Sequence, residues 1–485
     1  MEQAKKLLKD YPSARWFVLF LVSGLMFGTY WFQDGLGPLK EMFETQLGFT
    51  PEQFGRLISS TTWANWALMI ILGGMALDKW GIRKTGLVFG GIATVGAAIV
   101  AVGSMGILGD NKLLVMMGGR ILFGVGLETT CVLIQRTVVK WFKGYELALA
   151  MGVNVVIGRL GTFGAVSFGV DISGGDLSIA LITAASLIGV GFLMFLAYLM
   201  FDIKLDKQTA VDLVEEKEDF HFKDVIDLIT NHSFIYIALL CVAFYSAVFP
   251  FVQYAPDLLI NKFGFTSAMP DLSGMTFFEK IGAILHNGPK VTGLLPFGTI
   301  IFTPIFGRIV DKKGKAASLM ILGAILLIYA HLTLSVFNSV ILGYSGLFAL
   351  GIAFSLVPAA MWPSVAKIVA EKRLGTAYAT MFTIQNYGLG LFYWGIGTVL
   401  DLVNPDVVAR IQSIRENLIA QGLSKAEVTE RINQLREAGE IAPYDYTIPI
   451  LMLVGLGIIS VYLAFLLKKA DKRQGYGIEL PTNHA

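Results

Sequence analysis

Residues 118–161 read GGRILFGVGLETTCVLIQRTVVKWFKGYELALAMGVNVVIGRLG, two apolar runs joined by a short basic and aromatic turn. Each run is long enough to cross a bilayer as a helix, which takes about 20 residues. The first run contains Glu128 and the second contains Arg159. If the turn lies at a membrane face, both charges lie roughly 15–18 Å below it at about 1.5 Å per residue, near the midplane. A charge at that depth costs at least a few kcal/mol, so the pair indicates a functional site.

The composition of the whole chain is that of a membrane protein with many spans. Of its 485 residues, 55% are hydrophobic and only 15% are charged, which excludes a soluble enzyme with one large core. The net charge of +2 gives no indication of nucleic-acid binding. The sequence contains no nucleophile–base set, no metal-spaced His/Cys cluster and no phosphate loop. We therefore expect neither an enzyme nor a cofactor or metal.

Apolar segments of spanning length occur twelve times, six on each side of a charged segment. A lipid-exposed backbone must satisfy its own hydrogen bonds and no strand alternation is present, so each segment is expected to be a helix. The sequence therefore predicts an all-α membrane protein with twelve transmembrane helices in two six-helix, pseudo-symmetric bundles. The bundles are expected at 1–203 and 231–485, with a cytoplasmic linker at 204–230. The predicted spans, numbered 1 to 12, lie at about 16–37, 53–77, 86–107, 112–138, 147–170, 177–202, 232–255, 288–310, 316–336, 340–366, 376–402 and 447–468.

Lys and Arg are concentrated in alternate short loops. They precede span 1 and follow spans 2, 4, 8, 10 and 12, whereas the opposite loops carry few. The positive-inside rule places these basic loops and both termini in the cytoplasm. No outward loop carries an N-x-S/T glycosylation site and no acidic dileucine signal is present. This favours the cytoplasmic (inner) membrane of a bacterial-type cell over a lysosome.

Two outward segments are larger than a helix bundle needs. Residues 262–287 include the amphipathic piece MTFFEKIGAIL. The polar residues 404–446, here called the insertion, are predicted to form a helical hairpin before span 12. Ser424 and Glu427 have the spacing of a capping box and are expected to open its second helix. The insertion is either solvated decoration, a partial lid or the docking site of an accessory protein.

A loop sequence is repeated at corresponding places in the two halves. Residues 74–84 read GMALDKWGIRK and residues 307–315 read GRIVDKKGK, which share G-x-x-x-D-K-x-G. This repeat resembles the loop signature of the major facilitator superfamily, and R-x-x-x-G-x-G at 120–126 resembles the helix 4 signature of that family. The resemblance implies two parallel repeats that rock about a site at their interface. Gating or structural roles are expected for the charged residues of these signatures, Asp78, Arg83, Asp311, Lys312 and Arg120.

Longer stretches are similar to one branch of that superfamily, the branch that contains the lysosomal dipeptide uniporter of animals. The similarity covers most of both halves, although the insertion departs from the family pattern. It implies that an acid on span 4 and an arginine on span 5 hold the two ends of a dipeptide, roles that fall on Glu128 and Arg159. The stretches that carry it are ETTCVLIQRTVVKWFKGYEL (128–147), VNVVIGRLG (153–161), FYSAVFPF (244–251), NKFGFTS (261–267), MWPSVAKIV (361–369) and LGTAYATMFTIQNYGLG (374–390).

The chemistry of a dipeptide fits two opposite charges at one depth. Its ammonium can donate to Glu128, and its carboxylate fits the planar fork of Arg159 in two parallel bonds. Two such contacts select for the length of the peptide and leave its side chains free. Tolerant cavity walls are expected from aromatic and amide side chains on the other spans, namely Tyr30, Trp31, Tyr245, Trp362, Gln385 and Asn386.

Other interpretations of the charged residues stay open. Glu128 and Arg159 can instead be a salt bridge that serves packing alone. Arg120 is either a gating residue or a structural donor to neighbouring carbonyls. Asp34, near the outer end of span 1, is either a cap or a gate.

The sequence thus predicts a secondary transporter that moves dipeptides or short peptides by alternating access. Proton-coupled peptide symporters of the same superfamily carry an acidic cluster and an arginine on helix 1. The corresponding stretch here, FGTYWFQDG at 27–35, lacks them, which favours uniport. The alternative carrier is a proton-coupled symporter of a small organic anion or sugar acid, in which Arg159 binds the carboxylate and Glu128 the proton. A membrane scaffold that has lost transport is disfavoured by the retained loop signatures and midplane charges.

Overall fold

The computed structural model describes residues 7–208, 222–370 and 373–481, so residues 209–221 of the predicted linker lie outside the described residues. No β-strand occurs within these ranges, where the strand-like contact is an isolated bridge between Thr266 and Asn287. The helices that correspond to the spans are Pro12–Asp34 (span 1), Pro51–Trp66 with the first part of Met69–Ser104 (span 2), the rest of Met69–Ser104 (span 3), Lys112–Phe142 (span 4), Leu147–Ser173 (span 5), Leu177–Gln208 (span 6), His232–Phe263 (span 7), Gly288–Lys313 (span 8), Ala316–Val336 (span 9), Val340–Ile368 (span 10), Leu374–Val403 (span 11) and Thr447–Gln474 (span 12). Smaller helices are Phe222–Thr230, Phe277–Leu285, Pro405–Ala420 and Lys425–Glu437.

Ten helices in the described part of the chain are long and apolar enough to cross a membrane. One of them, Met69–Ser104, holds parts of two predicted spans, because Gly81 has a φ of 72° and breaks the helical path between them. Span 11 is 30 residues long but is not among the ten, since Thr, Gln and Asn side chains make it less apolar. Such a composition suits a helix that faces other protein or water and not lipid. Span 11 and the helix Pro51–Trp66, which forms the first part of span 2, complete the set. The described helices thus account for all twelve predicted spans.

Span 2 is interrupted between Trp66 and Met69. Leu68 has a φ of 63°, a left-handed conformation that costs about 1–2 kcal/mol for a residue with a side chain. The carbonyl of Trp66 accepts a hydrogen bond from the hydroxyl of Tyr387 on span 11 at 2.6 Å. Irregular backbone at membrane depth is tolerated only where protein or a cavity replaces lipid. The break was not predicted, because Leu68 lies in an apolar run without Gly or Pro.

Glycines of the R-x-x-x-G-x-G stretch bring span 4 close to its neighbours. A Cβ at Gly124 would lie 1.9 Å from the carbonyl oxygen of Thr61 on span 2, and one at Gly126 would lie 2.3 Å from that of Phe89 on span 3. Only glycine permits so close an approach, which suits membrane helices that associate through van der Waals contact. These contacts hold span 4 firmly, and with it the backbone that carries Glu128.

The first and last described residues lie at the same end of the bundle, here called the terminal end. The backbone N–H of Leu8 donates to Gln208 at the end of span 6 at 2.7 Å, and the N–H of Ser318 at the start of span 9 donates to Glu479 at 2.9 Å. The repeated loops lie at this end too. The opposite end, here called the insertion end, carries the insertion and the segment between spans 1 and 2.

Candidate substrate-binding site

Glu128 is a half-buried carboxylate on span 4 with a single polar contact among the described residues. Its Oε1 accepts a hydrogen bond at 3.4 Å from the side-chain amide of Asn386 on span 11. The same amide nitrogen donates to the carbonyl of Phe382 at 2.9 Å, and the amide oxygen accepts from Asn65 on span 2 at 3.2 Å. An ionised carboxylate has about four acceptor positions, so Glu128 retains capacity for a ligand.

Arg159 is half-buried on span 5 and makes no hydrogen bond or ion pair with any described residue. Its guanidinium carbon lies 5.2 Å from the ring centre of Phe354 on span 10, a cation–π contact with the opposite half. All five N–H donors of the guanidinium therefore remain available to a ligand. Glu128 and Arg159 are not paired with each other. The structure therefore does not contain the packing salt bridge of the alternative interpretation.

Tyr30 on span 1 lies near both Glu128 and Arg159. Its ring packs against span 5, where a Cβ at Gly158 would lie 3.3 Å from the ring. The hydroxyl is close enough to both Glu128 and Arg159 to interact electrostatically with each of them. The structure thus brings together three of the predicted binding residues, all from the first half of the chain.

An aromatic row in the second half leads to Arg159. The indole N–H of Trp362 donates to the hydroxyl of Tyr245 at 3.0 Å, and the two rings stack with centres 6.3 Å apart. Tyr245 stacks on Phe249 at 5.2 Å, and Phe249 meets the ring of Phe354 edge-on at 5.5 Å. Sequence reasoning found Tyr245 and Trp362 but missed the two phenylalanines, because a Phe inside an apolar run carries no sign of the direction it faces.

Two predicted binding residues are used for packing in this structure. Trp31 is buried against span 5, where its ring lies 2.4 Å from the position of a Cβ on Gly164. Gln385 is buried on span 11 and accepts a hydrogen bond from the thiol of Cys241 on span 7 at 3.3 Å. Their role in binding stays a prediction.

Arg120 is a buried donor to span 1. Its guanidinium nitrogens lie 3.5 Å from the carbonyl of Phe32 and 3.3 Å from the side-chain oxygen of Gln33. The geometry matches the structural alternative, in which Arg120 bonds to a neighbouring backbone carbonyl. These contacts link Arg120 to the last turn of span 1, next to Asp34.

Asp34 joins the two halves. Its carboxylate accepts from the hydroxyl of Thr162 on span 5 at 2.7 Å and from the amide of Gln253 on span 7 at 3.3 Å. Because span 7 belongs to the second half, this contact must break when the halves separate here. The geometry favours a gate over a helix cap.

The charged residues of the first copy of the repeated loop form ion pairs within their own half. Asp78 pairs with Arg136 on span 4 at 2.5 Å, and Arg83 pairs with Asp202 on span 6 at 2.7 Å, all within the first half. Asp311 and Lys312 of the second copy are exposed at the terminal end. Their gating role stays a prediction.

The insertion docks on the segment between spans 1 and 2 of the opposite half. Its predicted capping box is confirmed, with Ser424 and Glu427 exchanging hydrogen bonds at the start of Lys425–Glu437. The guanidinium of Arg436 at the end of this helix reaches Glu41 at 2.7 Å and Glu44 at 3.0 Å. Burial lowers the pKa of Arg436, but the carboxylates of Glu41 and Glu44 outweigh this and raise its pKa above the ordinary value. Arg436 is therefore charged at all physiological pH.

Further ion pairs close the insertion end. Lys40 and Asp257 are buried and paired at 2.9 Å across the halves. Lys290 on span 8 donates to the carbonyl of Ser167 on span 5 at 2.7 Å and pairs with Asp171 there. Lys290 thus joins the two halves. Sequence patterns did not identify these pairs, because their members are more than 100 residues apart.

The two ends of the bundle differ in how the halves meet. Hydrogen bonds and ion pairs of Asn386, Asp34, Lys40, Lys290 and Arg436 join the halves at the level of Asn386 or nearer the insertion end. At the terminal end, the ion pairs of Arg83 with Asp202 and of Asp78 with Arg136 lie within the first half. The described contacts therefore lock the halves together at the insertion end.

Two six-helix halves, which have opposite charges not paired with each other and are joined by ion pairs at the insertion end, define a multi-pass membrane carrier. The chain belongs to the Major Facilitator Superfamily, whose profile matches residues 18–393. It is similar to the lysosomal dipeptide transporter MFSD1 of Danio rerio, with 29% identity over 401 residues that cover 79% of this chain and 80% of the relative. The Homo sapiens protein of the same name is 27% identical over 403 residues, 80% of each chain. Among solved structures, the nucleoside transporter NupG shares the fold, with a TM-score of 0.65, 15% identity and coverage of 93% of this chain and 99% of that one.

These comparisons confirm the predicted family and the twelve-helix fold. They also confirm that the protein is a transporter and not an enzyme. The resemblance to the dipeptide-transporting branch is confirmed at the level of similarity.

Proposed function

We propose that the protein transports dipeptides across the membrane by alternating access, as a uniporter. The observation that carries this proposal is the pair of half-buried, mutually unpaired charges Glu128 and Arg159, both close to Tyr30. A buried charge without a partner is costly, and a ligand with an ammonium and a carboxylate a few ångströms apart neutralises both at once. The MFSD1 relatives are named as lysosomal dipeptide transporters, which agrees with this choice of ligand.

Each of the two charges also has a contact in the second half of the chain. Asn386 bonds to Glu128, and the Phe354 ring lies against Arg159. A dipeptide held by both charges would therefore lie against spans 10 and 11. Its binding energy is available to draw the halves together at the terminal end while the lock at the insertion end opens.

The orientation follows from the basic loops. We place the terminal end, with both termini, in the cytoplasm and the insertion end outside, in a cytoplasmic membrane. In that orientation the lock at the insertion end lies on the outer side, as expected of an inward-facing state. The accessory protein predicted at the insertion stays a prediction, since the docked face of the insertion is occupied by the chain itself.

A thermal-shift screen of the purified protein tests the proposal. Dipeptides should raise its melting temperature, whereas single amino acids and sugar acids should not. The Glu128→Gln and Arg159→Ala variants should lose the dipeptide response. The matched controls Glu416→Gln and Arg410→Ala change exposed residues of the insertion and should retain it. Stabilisation of all four variants by dipeptides would contradict the proposal.

A second candidate, a proton-coupled symporter of an organic anion, is favoured by one observation. Glu128 has no cation partner among the described residues and could take up a proton without breaking an ion pair. In proteoliposomes, a uniporter equilibrates labelled dipeptide regardless of an imposed pH gradient. Uphill accumulation that a protonophore abolishes would identify the symporter instead.

A further inference from the structure

The segment between spans 7 and 8 contains a helix with an uncovered apolar face. None of the residues of Phe277–Leu285 is buried, and Phe277 and Phe278 are 71% and 82% exposed. At about 100° per residue, the apolar side chains fall within an arc of roughly 120°, and Glu279 and Lys280 lie outside it. The exposed apolar residues of this face are Phe277, Phe278, Ile281, Ile284 and Leu285.

The helix begins with a capping box of its own. The hydroxyl of Thr276 accepts from the N–H of Glu279, and the carboxylate of Glu279 accepts from the N–H of Thr276 at 2.7 Å. These hydrogen bonds lower the pKa of Glu279, so the capping carboxylate is ionised at neutral pH. A capped helix this short is marginal in water, which makes its apolar face the remaining source of stability.

Contacts at its end fix the helix at the level where the spans leave the bilayer. The N–H of Thr266, just after span 7, donates to the carbonyl of His286 at 2.9 Å, and the N–H of Gly288, the first residue of span 8, donates to Thr266 at 3.0 Å. The carbonyl of Leu285 accepts from the hydroxyl of Tyr344 near the start of span 10. The helix therefore lies at one membrane boundary, at the insertion end.

The neighbouring spans continue the same apolar surface. Ile341 and Phe348 at the start of span 10 are exposed, as is Leu294 on span 8. On membrane-spanning helices such side chains face lipid. The Tyr344 contact places the end of Phe277–Leu285 beside span 10, which carries part of this lipid-facing surface.

From this placement we infer that Phe277–Leu285 is an interfacial helix, with its apolar face in the boundary between headgroups and acyl chains of the leaflet at the insertion end. Interfacial helices bury such a face about 5–10 Å into this boundary. The charges of Glu279 and Lys280 cancel, so burial of apolar area drives the contact and anionic lipid is not required. This inference is independent of what the protein transports.

Fluorescence depth measurement on the full-length protein in nanodiscs of phosphatidylcholine tests the inference. In a background with Cys131 and Cys241 replaced by alanine, a polarity-sensitive fluorophore is attached to Phe278→Cys, or to the control Lys280→Cys outside the apolar arc. The label at 278 should emit at shorter wavelength and be quenched by lipids brominated near the headgroup. The label at 280 should be quenched by aqueous iodide. Added phosphatidylserine should change neither result.

Two outcomes would overturn the inference. If iodide quenches both labels equally, the apolar face lies in water. If neither brominated lipid nor iodide quenches the label at 278, protein covers the face, either a second copy or another partner.

Discussion

At the scale of single residues, Glu128 and Arg159 differ from the buried residues Lys40 and Arg15, because neither has a charged partner among the described residues. Lys40 is paired with Asp257 at 2.9 Å, and Arg15 with Glu146 at 2.9 Å. Removing one partner of a buried pair typically destabilises by about 3–5 kcal/mol, so an unpaired charge is retained for a reason other than stability. Under the proposed function, ligand binding provides that reason.

Phe354 is expected to position Arg159. A cation–π contact contributes about 0.5–2 kcal/mol, so Phe354→Leu should weaken dipeptide binding roughly 3- to 30-fold in isothermal titration. Phe354→Tyr keeps the ring and should bind almost as well as the natural protein. Phe348→Leu, on the same span but exposed, serves as the control. Equal affinity of Phe354→Leu and Phe348→Leu would show that the ring does not hold the guanidinium.

Residue-scale prediction from the sequence used depth in the membrane as its signal. Glu128 and Arg159 stand out because a charge in an apolar run is rare. Phe249 and Phe354 could not be identified, since Phe348 on the lipid-facing surface belongs to the same kind of apolar run. Which way a side chain faces depends on helix packing, which the sequence does not display directly.

At the scale of elements, the insertion was predicted as a hairpin, and the capping box at Ser424 is confirmed. Its docking partner was not predictable. Arg436 lies 392 residues from Glu44 in the sequence, and no periodic pattern links them. The segment from Lys40 to Leu47 likewise gives no local sign that its charges are buried under another part of the chain.

Removal of the Arg436 side chain should weaken the lock at the insertion end. Arg436→Ala leaves Glu41 and Glu44 buried without their partner, which should lower the free energy of unfolding by about 3–5 kcal/mol. Arg431→Ala, an exposed change on the same helix, should stay within about 0.5 kcal/mol of the natural protein. Thermal unfolding in detergent measures both. If Arg436→Ala lowers the free energy of unfolding no more than Arg431→Ala does, water reaches the carboxylates of Glu41 and Glu44.

At the scale of the whole molecule, the six-plus-six arrangement was predictable because span length and loop charge are local properties. The end at which the halves are locked was not predictable from the sequence. That choice depends on a difference of a few kcal/mol between two packings of the same halves. The break at Leu68 was missed for a related reason, since contacts with span 11 and not the local sequence satisfy it.

A reversible cross-link tests whether the insertion end must open. The hydroxyl oxygens of Thr45 and Thr429 are 2.8 Å apart across the halves, so a disulfide can form in Thr45→Cys/Thr429→Cys. Transport in proteoliposomes should stop on oxidation and return on reduction, whereas each single variant should be insensitive. Undiminished transport by the oxidised double variant would show that the insertion moves with the first half as one body.

The central claim is that Glu128 holds the amino end of a dipeptide and Arg159 its carboxyl end. It is tested most directly by titrating a dipeptide, its N-acetyl form and its C-terminal amide into the natural protein, Glu128→Gln and Arg159→Ala. A hydrogen bond to a charged group contributes about 1.5–3 kcal/mol, so each blocked peptide should bind the natural protein roughly 10- to 150-fold more weakly. Acetylation should cost Glu128→Gln nothing further while amidation still weakens its binding, and Arg159→Ala should show the reverse. If acetylation weakens binding to Glu128→Gln as much as to the natural protein, the assignment is wrong.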